Sequence, residues 1–212
     1  MSGILDLLNS DLGKTIVSGV AGQTGQDETK TSGLLTMALP VLMKAMERNA
    51  STPEGAEGLM GAITGKHNGG ILDNLESLFG GDDNEQVTQD GDKILGHVLG
   101  NKRGGIEHVL GQKAGMDSGS VDSILKVAAP ILMGVVGKQA KQNNVSSSND
   151  LTGLLGSLLG GNSAQAEQNF LEKILDADGD GSIIDDVAGM VLGGNKKKGG
   201  LGSLLGGLFG GK

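Results

Sequence analysis

Three aspartates alternate with small residues and lead to a glycine in Asp176-Ala177-Asp178-Gly179-Asp180-Gly181-Ser182-Ile183. This is how an EF-hand loop wraps calcium, with oxygen ligands at positions 1, 3 and 5, a glycine at the sharp turn of position 6 and a backbone carbonyl at position 7. Asp176, Asp178 and Asp180 fill the first three places, Gly181 the turn, and Ser182 the carbonyl. Position 12, a bidentate acid in that pattern, is Val187, so Asp186 or Asp185 must close the shell and the loop is shortened or irregular. The ligand set read here is Asp176, Asp178, Asp180, Ser182 and Asp186, with Ca2+ as the ion; magnesium prefers to keep its waters. A metal-free alternative makes Ser182 a helix cap with Asp185 at the third helical position, a capping box. It leaves three like charges within one turn with nothing between them but solvent.

The elements that must hold this loop are helical. Lys173-Ile174-Leu175 reads as the end of the incoming helix, and Ile183 as the apolar anchor after the turn. Elsewhere apolar residues recur at three and four, as in Ile16, Val17 and Val20, in Leu34, Leu35, Ala38 and Leu42, and in Ile124, Val127, Ala128, Ile131 and Val135. No stretch alternates long enough to make a strand. Thr52-Pro53-Glu54 opens a helix with proline at its first position. Gly69-Gly70, Gly80-Gly81 and Gly104-Gly105 divide others. Pro40 and Pro130 interrupt apolar periodicity and predict a kink or a helix start.

Composition limits how the core is built. Among 212 residues there are 40 glycines, 3 phenylalanines and no tryptophan, tyrosine or cysteine, so Leu, Ile, Val, Ala and Met must fill it. An interior glycine costs a helix about 1 kcal/mol against alanine, which predicts short helices ended by glycine. Lacking cysteine, the chain has no disulfide, thiolate metal site or thiol nucleophile. Its net charge of −8 argues against phosphate neutralisation as the main task. The basic clusters Lys102-Arg103 and Lys196-Lys197-Lys198 read as solvated linkers beside glycines. The start, Met1 to Asp6, lacks a basic region followed by an apolar run, and Gly33–Met43 and Val127–Gly137 are short for a bilayer and carry prolines. The expectation is a cytoplasmic protein with no transmembrane segment.

The chain also resembles itself. Residues 90 apart match in Ile4-Leu5 and Ile94-Leu95, Gly25 and Gly115, Asp27 and Asp117, and in Ala38-Leu39-Pro40-Val41-Leu42-Met43 and Ala128-Ala129-Pro130-Ile131-Leu132-Met133. Further on the offset is 80, pairing Lys93-Ile94-Leu95 with Lys173-Ile174-Leu175. This predicts one helical repeat over 1–93, a second over 94–200 carrying an inserted acidic loop at 176–190, and a Gly/Leu-rich tail over 201–212. The tail, Leu201-Gly202-Ser203-Leu204-Leu205-Gly206-Gly207-Leu208-Phe209, echoes Leu154-Leu155-Gly156-Ser157-Leu158-Leu159. Such an apolar segment requires a cover, from its own domain, another subunit or a membrane surface.

Catalytic patterns do not emerge. His67, His97 and His108 share no ligand spacing, no Gly-x-Ser-x-Gly elbow occurs, and the glycine–lysine pairs do not complete a phosphate loop. Taken together, Gly3-Ile4-Leu5-Asp6, Pro130-Ile131-Leu132-Met133, the Leu-Gly-Ser-Leu-Leu-Gly-Gly segments and the Asp-Gly-Asp-Gly-Ser-Ile-Ile-Asp-Asp run resemble the bacterial family called domain of unknown function 937, or YidB-like. The resemblance implies an all-α fold with a homeodomain-like helical arrangement, here in two tandem copies, and assigns no catalytic residue. By analogy it raises nucleic-acid binding, since fold alone does not set function. The residues favour a non-enzymatic, calcium-binding helical protein that works by self-association, as a homo-oligomer, or by docking to a protein partner. A nucleic-acid-binding regulator is the alternative.

Overall fold

The computed structural model of the protein describes residues 3–80, residues 84–160 and Leu175. The described residues contain helices and turns and no strand. The order is α1 (Ile4–Asn9), α2 (Asp11–Thr24), α3 (Glu28–Ala50), α4 (Pro53–Thr64), a 3₁₀ turn (Gly70–Asn74), α5 (Leu75–Gly80), α6 (Asn84–Leu99), a 3₁₀ turn (Gly100–Lys102), α7 (Arg103–Ala114), α8 (Ser118–Gln142) and α9 (Ser148–Leu158). The acidic loop and its ligands Asp176, Asp178, Asp180, Ser182 and Asp186, Lys196–Lys198 and the 201–212 tail lie outside the described residues.

Local chemistry explains the boundaries. The side chains of Ser10, Asp27, Thr52, Asp117 and Ser147 each accept a hydrogen bond from a first-turn backbone N–H of α2, α3, α4, α8 and α9. Such caps contribute about 1 kcal/mol each. Thr52 does so with Pro53 at the first helical position, as its sequence implies. The breaks after α2 and α7 match closely. Gly25 and Gly115 adopt left-handed backbone with φ of 67° and 63°, and the following N–H groups of Gln26 and Met116 bond back to Ala21 and Gly111. Two residues after each glycine, Asp27 and Asp117 start α3 and α8.

The long helices α3 and α8 form the centre. The apolar residues singled out by their periodicity, including Leu34, Leu35, Ala38, Leu42, Ile124, Ala128 and Ile131, are buried. Helix α6 lies along α8, and α2, α4, α7 and α9 each pack on both central helices. One continuous hydrophobic cluster runs from Ile4 through Leu158 and includes Leu175. The stretches 1–93 and 94–160 therefore share a core. Helix α8 is long and apolar enough by length and composition to cross a membrane, and 72% of that apolar window is buried inside the fold.

Short helices ended by glycine do form, at Gly25 after α2, Gly65 after α4 and Gly115 after α7, but glycine is not kept out of long helices. Helix α3 spans 23 residues with Gly33 inside, and α8 spans 25 with Gly119, Gly134 and Gly137 inside. Gly104 and Gly105 lie in the first turn of α7, and Pro40 and Pro130 lie inside helices without starting them. The reason is packing. A Cβ at Gly137 would overlap the His67 carbonyl, one at Gly134 the Ile71 side chain, and one at Gly91 of α6 the Lys126 carbonyl of α8. Gly91 and Gly137 let backbone meet backbone and Gly134 admits a side chain against the helix, so their propensity penalty is offset by closer contact.

Two glycine-to-alanine changes in the central helices separate these effects. Gly137→Ala should destabilise the fold by about 1–3 kcal/mol through the forced backbone shift. A Cβ at Gly33 meets nothing within 4 Å, so Gly33→Ala should stabilise by about 0.5–1 kcal/mol. Thermal melts followed by circular dichroism check both signs.

Candidate functional site

Between the C-terminal end of α3, the face of α4 and the outer side of α6 lies a groove of about 430 Å³. Its walls are apolar: Leu59 and Ala62 from α4, Ile94 and Val98 from α6, and Met133 from α8. Glu54, Lys93 and His97 are exposed on its rim. Gly55 and Gly58 keep α4 low where it faces the groove, and a Cβ at Gly58 would meet nothing within 4 Å. One end is closed by Asn49, whose side-chain amide donates to the Val98 carbonyl at 3.0 Å and the His97 carbonyl at 3.5 Å. Both carbonyls belong to the last turn of α6, where intrahelical partners run out.

The inner polar element is His67, buried in the turn after α4. Its N–H donates to the Ala62 carbonyl at 2.9 Å. Its imidazole Nε2 lies 3.4 Å from Asp90 Oδ2 of α6, and Lys66 Nζ lies 2.8 Å from Asp90 Oδ1. Burial lowers the His67 pKa; Asp90 works against this, Lys66 adds to it, and the net direction is down. The pair fastens the α4 turn to α6. No hydroxyl or thiol stands among the groove's lining residues, so chemistry at this position would need a nucleophile from the ligand or from water.

A second polar cluster joins α6, α7 and α8. Arg103 Nε bonds Glu107 Oε1 at 2.7 Å, its Nη1 meets Asp92 Oδ1 at 3.0 Å, and its Nη2 donates to Asp122. Lys126 completes the network, 2.8 Å from Asp122 and 3.2 Å from Asp92. Burial opposes the Arg103 charge, but its bonds to Glu107, Asp122 and Asp92 prevail and raise its pKa. Burial pushes the Glu107 carboxyl up against the pull of Arg103. Hydrogen bonds from Arg103 and Lys126 hold Asp92 below the usual carboxylate range. Lys102-Arg103, expected as a solvated linker, is thus a helix junction: the second residue is an ion-pair hub. Lys102 donates through Nζ to the carbonyl of Leu175.

That last contact is the described link to the acidic loop. Leu175 is helical and 3% exposed, and it immediately precedes Asp176. Among the described residues, no group of three or more His, Asp or Glu side chains is placed to hold a metal ion. The groove residues escaped the sequence reading because Asp90 is 23 positions from His67 and no spacing rule links them. In the ion network, Arg103–Glu107 and Asp122–Lys126 are four-residue helical pairs that a search for such spacings finds; Asp92 offers no local signal.

Among the known families, the one described as bacterial protein of unknown function (DUF937) has a model that matches residues 6–139. That match spans α2 to most of α8 and ends before α9. No curated protein and no solved structure matches the chain.

Arg103→Met should lower stability by about 3 kcal/mol, because it strands the buried Glu107 charge. Adding Glu107→Gln should restore most of the loss, a non-additivity that urea titrations resolve. For His67 the sign runs the other way from an ordinary ion pair. Its unfolded form protonates near pH 6.5 and its folded form only at lower pH, so its contribution is full above about 6.5 and shrinks as pH falls below that. Unfolding at pH 7.5 and 5.5, followed by circular dichroism, should show a loss of stability on acidification that is reduced in His67→Gln.

Proposed function

The chain belongs to the DUF937 family of bacterial proteins, and on that premise we propose that it is a non-enzymatic docking protein whose α4–α6 groove receives an apolar helical segment. The carrying observation is the groove itself, apolar along its walls, polar along its rim and roofed by nothing in the described fold. Grooves of this kind take the i, i+3, i+4 and i+7 anchors of an amphipathic helix, and their volume is in the range of ordinary ligand sites. The occupant is a protein partner or a second copy of the chain.

Calcium belongs to the same proposal, held by the side chains of Asp176, Asp178, Asp180 and Asp186 and the carbonyl of Ser182. Two observations support it: the loop spacing, and the fixing of Leu175 to Lys102 just before the loop begins. Duplication is also part of this reading, as two copies of one small unit of the homeodomain-like kind that the family resemblance implies. Its support is the matched glycine stops, aspartate caps and internal prolines 90 residues apart. The nucleic-acid alternative is weakened by the engagement of Arg103 with three carboxylates and of Lys102 with a backbone carbonyl.

Light scattering with calcium and with chelator, beside calorimetry, tests the proposal. Calcium should bind the wild type, fail to bind Asp178→Ala/Asp180→Ala, and raise the mass of the wild type alone. A chain that binds no calcium and stays monomeric in both conditions would falsify the calcium-linked assembly.

A further inference from the structure

We propose that, in the calcium-free protein, the chain's own segment Leu201–Phe209 occupies the α4–α6 groove. This rests on the docking reading above and names its resident ligand. The first argument is the pattern of the segment. Leu201, Leu204, Leu205, Leu208 and Phe209 fall at i, i+3, i+4, i+7 and i+8, one apolar stripe of a helix. Two described segments carry nearly the same stripe. In α9 and just after it, the positions are Leu151, Leu154, Leu155, Leu158 and Leu159, the first four buried against the central helices. In the 3₁₀ turn and α5 they are Ile71, Leu75, Leu78 and Phe79, with Phe79 seated against Gly19 of α2. This protein thus uses the same stripe twice as a packing element, and the third instance has the same need for an apolar cover.

A second argument is the position of Leu175, the last described residue, in the core. Leu175 is held by Lys102, four residues beyond Val98 of the groove wall. Twenty-five residues separate Leu175 from Leu201. A chain of 25 residues spans about 25–30 Å even at the root-mean-square extent of a random coil, and Lys102 lies only four residues beyond Val98 of the groove wall. Tethering of this kind gives an effective concentration on the order of millimolar, so even a weak groove interaction is satisfied within one chain before a second molecule arrives. Charge agrees with the placement. Lys196-Lys197-Lys198 precede the segment, and Glu54 on the groove rim and Glu57 are exposed on the α4 side, whereas the rim's own lysine, Lys93, lies on the opposite, α6 side.

The absence of cysteine from the chain makes the test direct. Full-length protein carrying Gly58→Cys and Ser203→Cys is treated with a short bismaleimide in chelator, and intramolecular cross-linking is followed by mass. The control pairs Ser203→Cys with Ser123→Cys, an exposed position ten residues from Met133 along α8, about 15 Å of helix away. The groove pair should close within one chain at least about tenfold faster than the control, as a docked tether requires, and Leu208→Asp should remove that advantage. Equal rates for the two pairs, or products that join two chains, would overturn the proposal. Neither outcome bears on calcium binding or on capture of a partner helix, which the scattering and calorimetry read separately.

Discussion

Close backbone approach around α8 is the constraint on which the rest of the structure depends. With 3 phenylalanines and no other aromatic residue, the core cannot be filled by large side chains reaching across wide gaps. Interiors must still reach the density of a close-packed solid. The solution is to bring the helices together until glycine faces carbonyl, as at Gly91 against Lys126 and at Gly137 against His67. Leucine, valine and alanine then suffice to fill the remaining space. The arrangement tolerates a long helix with interior glycines because tertiary contact, and not propensity, supplies most of a helix's stability.

Polar groups sit where those close contacts create helix junctions. His67 and Asp90 fasten the turn after α4 to α6, at the place where Gly137 admits the turn's backbone. Arg103 gathers Asp92, Glu107 and Asp122 from three helices. A buried ion pair is weak as a source of net stability, but removing one partner is strongly unfavourable. Such clusters therefore act as registers, holding α6, α7 and α8 in one relative position. The groove depends on that position because Ile94, Val98 and Met133 form its wall only when α6 lies in place along α8.

The proposed function follows from the same economy. A chain that packs leucine stripes against helix faces, at α9 and at α5, has a ready means of recognising another such stripe. The groove has the walls for it. Lys102 places the exit of the described fold within reach of that groove, and the calcium-type loop stands between the exit and the leucine-rich tail.

Much of the fold was legible before any coordinates. The period of Leu34, Leu35, Ala38 and Leu42 and the Thr52-Pro53 start act over a few residues, so sequence alone determined the helical class, the start of α4 and the buried faces. The spacing from Asp176 to Ser182 likewise carries its calcium reading within the chain itself. Glycine was misread because its effect on a helix is local and unfavourable, whereas its value at Gly91, Gly134 and Gly137 is the close approach of another element. The Lys102-Arg103 linker failed for the same reason: its partners Asp92, Asp122 and Leu175 come from other segments. Only tertiary structure decided the His67–Asp90 pair, the Arg103 hub and the groove, since each exists between elements distant in sequence and is set by how closely their backbones can meet.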